Sequence, residues 1–120
     1  MISSEVPLTH QKCVPCEGGT KPLTRFEFQI YLDSVKDWQV INDEKAIQKE
    51  LTLKNFKEVV KFINQIAEIA ESEGHHPDLS LHDYKKLTIT ISTHAIGGLS
   101  INDFILAAKI DLLLKNSSES

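Results

Sequence analysis

Apolar and polar positions change period along the chain, and each change marks an element. Thr24-Arg-Phe-Glu27 reads as a capping box: the threonine oxygen takes the amide three residues on, and Glu27 reaches back to the cap amide. Leu23 and Phe28 stand at staple positions, and Phe28, Leu32 and Val35 recur at helical spacing. This pattern predicts a first helix ending near Ser34 to Lys36. The period then falls to two. Trp38 to Asn42 reads as a strand, Asn42-Asp43-Glu44 as a turn, and residues 46 to 53 as the returning strand. In that strand Ile47, Leu51 and Leu53 share one face, and Gln48, Glu50 and Thr52 the other.

From about Lys54 to Glu73 the helical period returns. Phe56, Val59, Val60, Ile63, Ile66, Ala67 and Ala70 form a stripe, widened by Phe62 and Ile69. Gly74 suits the left-handed position past a helix end, and Pro77 forbids continuation. Asp78 to His82 is a short alternating strand, with a turn at His82-Asp83. Lys86 to Thr93 alternates most clearly, with Leu87, Ile89 and Ile91 against Thr88, Thr90 and Ser92. Continued alternation puts His94 on the polar face at the strand's end. Gly97-Gly98 breaks the chain, and Ser100-Ile-Asn-Asp103 opens a last helix as a cap signature. Ile101, Phe104, Ile105, Ala108 and Leu112 form its stripe. Leu106, Ile110 and Leu113 add a second apolar side, which implies deep burial or a subunit interface.

The order is α-β-β-α-β-β-α. Two hairpins and three helices give an α+β two-layer domain, a four-stranded antiparallel sheet with the helices on one face. Residues 1–21 have no periodicity and read as an N-terminal tail, laid over the surface or mobile. Residues 22–116 form the single domain, and 117–120 a frayed C-terminus.

Size and charge narrow the function. The chain has 120 residues, enough for one domain that folds without disulfides or a structural metal. A net charge of −4 with no basic run argues against phosphate-backbone binding. No stretch approaches 18 apolar residues, and no basic-then-apolar leader opens the chain. A cytoplasmic protein is the expectation. Cys13 and Cys16 form a lone C-x-x-C without the second ligand pair of a zinc site or the βαβ context of a redox motif. They read as reduced cysteines in a loosely ordered segment.

The chemistry concentrates elsewhere. His75, His76 and His94, three of the five histidines, lie where one element hands over to the next. His75 and His76 follow a helix C-terminus, whose partial negative charge favours protonated imidazole. Each imidazole nitrogen wants a partner, so such a cluster is unusual in a core. The segments Glu71-Ser-Glu-Gly-His-His-Pro77 and Ser92-Thr93-His94 are therefore expected to converge on one small-molecule pocket. The adjacent pair is a poor chelate, and no H-E-x-x-H spacing is present. His82 reads as a turn residue, His10 as a tail residue, and Asp103 as the third residue of a cap.

Gly74-His-His-Pro-Asp78, Tyr84, Ser92-Thr-His94, Gly98-Leu-Ser100, Asp103 and Phe104 to Asp111 together resemble the pterin-4a-carbinolamine dehydratases. Trp38, Leu53-Lys-Asn-Phe56 and Lys12-Cys-Val-Pro-Cys-Glu17 also fit that pattern, so the likeness spans nearly the whole chain. The resemblance implies a hydro-lyase that removes water from 4a-hydroxytetrahydropterin to give quinonoid dihydropterin, recycling the cofactor of aromatic amino-acid hydroxylases. It implies no metal, no organic cofactor, a homodimer or homotetramer, and a partner in the hydroxylase pathway. The implied pocket comprises Gly74, His75, His76, Ser92, Thr93, His94 and Ala95, with His75 and His94 as acid–base pair and His76 orienting the pterin. Glu71 is placed to polarise a histidine or bind the pterin's amino-pyrimidine edge, and Trp38 to flank the pocket. There are two departures. Gly74 stands where animal members carry an acidic residue, and the span from His76 to His94 is one residue longer. The competing reading is a non-catalytic protein-binding module on the same fold, such as a transcription or assembly cofactor. A zinc hydrolase is a third.

Overall fold

A computed structural model describes residues 7–13 and 21–118. The elements are α1 (Arg25–Leu32), β1 (Gln39–Ile41), β2 (Ala46–Thr52), α2 (Phe56–Glu73), β3 (Asp78–His82), β4 (Lys86–Ile91) and α3 (Ile101–Ser118). The four strands form one sheet in the order β1-β2-β4-β3, every pair antiparallel. The two hairpins thus lie side by side, joined through β2 and β4. The α+β architecture expected from the sequence is the observed one.

The inner face of the sheet carries Ile47, Leu51, Leu87, Ile89 and Ile91. These pack with Phe28 of α1, Val59, Phe62 and Ile66 of α2, and Phe104, Ile105 and Leu106 of α3 in one core. α3 is the centre of that core. Residues 102 to 108 are buried on every side of the helix, which accounts for its two apolar faces. The 7–13 segment lies against α3, with Leu8 and Cys13 joining the core.

Local chemistry explains the element ends. The capping box at Thr24 has both of its hydrogen bonds. Asn55 caps α2 by accepting from the Glu58 amide. The β3–β4 turn spans three residues between the paired His82 and Lys86, and Asp83 and Tyr84 within it both have positive φ.

Three expectations are corrected, and one buried residue was not anticipated. α1 stops at Leu32, short of Ser34, and the chain leaves through single turns. β4 stops at Ile91, so His94 lies off the strand; it opens a single 3-10 turn, His94–Ile96. α2 is rotated relative to the predicted stripe. It buries Val59, Phe62, Ile66 and Ala70, while Phe56, Val60 and Ala67 face outward. The bulk of Phe62 turns that side of the helix to the sheet. Finally, Lys49 sits buried on the apolar face of β2, because its ammonium donates to Asp111 and to the Lys36 carbonyl.

Candidate active site

The site begins at the exit of α2. Gly74 is left-handed (φ 66°), and its amide and that of His75 both return to the Ala70 carbonyl. A side chain at this φ is strained, so glycine permits the turn that throws His75 and His76 away from the helix axis. β3 then starts at Asp78, paired with Thr90 of β4. Continued in the same register, His76 falls opposite Ser92 and His75 opposite Thr93. The hairpin therefore carries the two histidine segments to one end of the sheet.

Asp103 fixes that meeting. Its side chain is 0% exposed. One oxygen, Oδ1, lies 2.7 Å from His75 Nε2. The other, Oδ2, accepts from Thr93 Oγ1 at 2.8 Å and from the Ser100 amide at 2.9 Å. Thr93 and Ser100 hydroxyls are themselves 2.9 Å apart. The cap role read from the sequence is present, since the Ser100 contact closes the start of α3. The same carboxylate also holds the imidazole. A carboxylate only accepts, so Nε2 carries the proton and Nδ1 of a neutral His75 keeps its lone pair. A clue to this was legible: a carboxylate within a helix apolar on both sides must be buried, and buried charge must be paired.

His76 faces solvent, with Nε2 2.6 Å from Glu71 Oε2, so Glu71 does pair with a histidine. His94 is exposed at the mouth of a cleft of about 260 Å³ walled by Asn42, Lys45, Ala46, Ser92, Thr93, Gly97 and Gly98. Asn42 and Lys45 come from the β1–β2 turn and Ala46 opens β2, none of which sequence reasoning brought here; the pairing of β2 with β4 does. His75, His76 and Ala95 are not among the walls of this cleft. What joins the two histidine segments is Asp103, bonded to His75 and to the residue before His94. Trp38 is placed elsewhere. It is buried, its indole donates to Asp111 at 2.9 Å, and Lys49 lies over its ring. Asp111 is two turns along α3 from Asp103, roughly 12 Å along the helix axis.

Below the His75 turn lies a second polar group. Glu73, the last residue of α2, pairs with Lys109 of α3 and accepts from the Cys13 amide at 2.8 Å. Burial alone would raise its carboxyl pKa; the hydrogen bonds from Lys109 and Cys13 and the charge of Lys109 outweigh that and hold it below the usual range. The same surroundings act oppositely on Cys13: burial first, then the charge of Glu73, push its thiol up to about 12. Such a thiol is inert near neutrality. Cys16 lies outside the described residues. Among the described residues no three His, Cys, Asp or Glu side chains are grouped to hold a metal ion.

Residues 21–113 match the family model described as pterin 4 alpha carbinolamine dehydratase. A protein of Alkaliphilus metalliredigens, provisionally named pterin-4-alpha-carbinolamine dehydratase, is 46% identical over 87% of this chain and 93% of its own. One of Halorhodospira halophila, with the same provisional name, is 42% identical over 88% and 96%. A crystal structure of a transcriptional coactivator/pterin dehydratase from Brucella melitensis superposes with a TM-score of 0.72 at 28% identity, covering 78% of this chain and 98% of that one. By the family match and by these relatives, the chain belongs to the pterin-4-alpha-carbinolamine dehydratase family.

Proposed function

We propose that this protein removes water from 4a-hydroxytetrahydropterin, with His75 and His94 as the acid–base pair. The carbon–oxygen bond at C4a breaks, a protonated imidazole gives its proton to the departing oxygen, and a ring nitrogen loses its proton to a neutral imidazole. The products are water and quinonoid dihydropterin. Histidine suits both transfers, since its ordinary pKa lies near neutrality. The observation that carries the reading is the buried Asp103 carboxylate, which grips His75 and the neighbour of His94 at once. Holding Nε2–H leaves Nδ1 of His75 as the acceptor and assigns it the ring proton. His94, exposed at its cleft, then serves the departing oxygen. His76 and Glu71 bind the polar edge of the pterin, beside Gly74, Ser92, Thr93 and Ala95. No metal or organic cofactor takes part. The protein works in the cytoplasm as a homodimer or homotetramer alongside an aromatic amino-acid hydroxylase.

The test is turnover. Carbinolamine made by a phenylalanine hydroxylase is followed to quinonoid dihydropterin with and without the protein. Acceleration above the spontaneous rate supports the reading, and none rejects it. A second reading has one observation behind it: the Brucella melitensis relative is described as a transcriptional coactivator as well as a dehydratase. On that reading the fold is a protein-binding module and turnover is not accelerated.

A further inference from the structure

The last turn of α2 breaks a rule of helix electrostatics. Glu71 and Glu73 put carboxylates at the end that already carries partial negative charge, and no basic residue of that turn offsets them. Glu71 has His76 as partner. Glu73 is more unusual, since its side chain is only 5% exposed. A stranded buried carboxylate is costly, and an apolar residue would pack at a helix end without that risk. A polar clamp differs from apolar packing in having direction. Here it has three anchors. Lys109 of α3 holds one oxygen, the Cys13 amide holds the other, and the Cys13 thiol reaches the Asn102 carbonyl at 3.5 Å. These anchors fall on both chain segments that form the His75–Asp103 contact. Glu73 is two residues before His75, and Asn102 is the residue before Asp103.

We propose that Glu73 is a positioning residue for His75. Clamped between Lys109 and the Cys13 amide, it sets the spacing of the α2 exit from α3 at which His75 Nε2 meets Asp103. The 7–13 segment is then a strap that completes the site rather than a tail. The inference rests on the dehydratase reading for its kinetic consequence, and on geometry alone for its structural one. Misplacing a reacting group by about 1 Å costs on the order of 100-fold in rate.

Glu73→Gln, Lys109→Met and Lys109→Arg are compared with the native chain by kinetics and by NMR of the histidine ring protons. Each variant is first shown to be folded by thermal melting. In Glu73→Gln and Lys109→Met, kcat falls about 10- to 100-fold with KM within about twofold. Lys109→Arg keeps the charge and stays within about threefold of native. The His75 Nε2 proton, protected by Asp103 in the native chain, exchanges faster with solvent in the two disruptive variants and not in Lys109→Arg. Unchanged kcat in both disruptive variants overturns the proposal, as does an unchanged His75 proton or a loss that tracks melting temperature across all three. If the native chain has no turnover, the dehydratase reading fails by itself, and the proton-exchange comparison still decides the positioning role.

Discussion

His75 Nε2 lies 2.7 Å from Asp103 Oδ1 across the gap between α2 and α3, on a carboxylate shut away from solvent. Asp103 therefore serves the helix cap and the imidazole with different oxygens. The two roles separate by substitution. Asp103→Ala strands the Ser100 amide, the Thr93 hydroxyl and His75, and is expected to cost about 2–5 kcal/mol in chemical denaturation. Asp103→Asn has the same shape and loses less stability. Its turnover still falls by roughly 100-fold or more, because an amide can donate to His75 and so fails to fix the tautomer.

Gly98 is close-packed for a reason visible in the geometry. A Cβ there would lie 2.6 Å from Pro22 Cβ and 2.9 Å from its Cγ. The proline ring has little freedom, and the next residue is pinned by Leu23 N donating to the Leu99 carbonyl at 2.8 Å. Gly98→Ala is expected to destabilise by about 1–3 kcal/mol and to disturb the cleft at His94. Urea unfolding measures the first effect.

The Cys13–Glu73 pair predicts opposite pH limbs. Cys13 has a folded pKa raised from 9.0 to about 12. Between those values the unfolded chain releases a proton that the folded one keeps, so stability falls as pH rises through that window. Cys13→Ala removes up to one proton from that slope, about 1.4 kcal/mol per pH unit at most. Glu73 has a folded pKa below its ordinary 4.5. Its contribution is present above that value and fades as pH falls beneath it, so Glu73→Gln flattens the acid limb. Unfolding free energies measured from pH 3 to 11 check both. With Cys16 replaced by serine, Cys13 is also expected to resist alkylation at pH 8 until the chain unfolds.

Periodicity sufficed for elements whose environment is simple. β3 was legible to the residue, and the alternation of β4 matches its burial, because a sheet with one wet face writes its pattern directly. α2 was harder. Apolar residues cover more than half of its circumference, so several stripes fit, and packing of Phe62 chose among them. The end of β4 was misread because Thr93 turns to bond Asp103 and bridges Gly98, ending regular pairing before His94. Lys49 shows the same limit: only the fold brings Asp111, 62 residues away, to its ammonium. The histidines drew attention from the sequence alone. Asp103 was legible as a cap and as part of the family pattern, but its contact with His75 was not, because the cap was a sufficient local reason for a carboxylate there.

The central claim is that two imidazoles act on one pterin ring. Ring-nitrogen NMR of the folded protein, titrated with a stable dihydropterin, tests it most directly. The account predicts that the His75 and His94 signals both shift along one binding curve, while His82 on the outer sheet face stays still. Movement of only one of the two, or of neither at saturation, would contradict it.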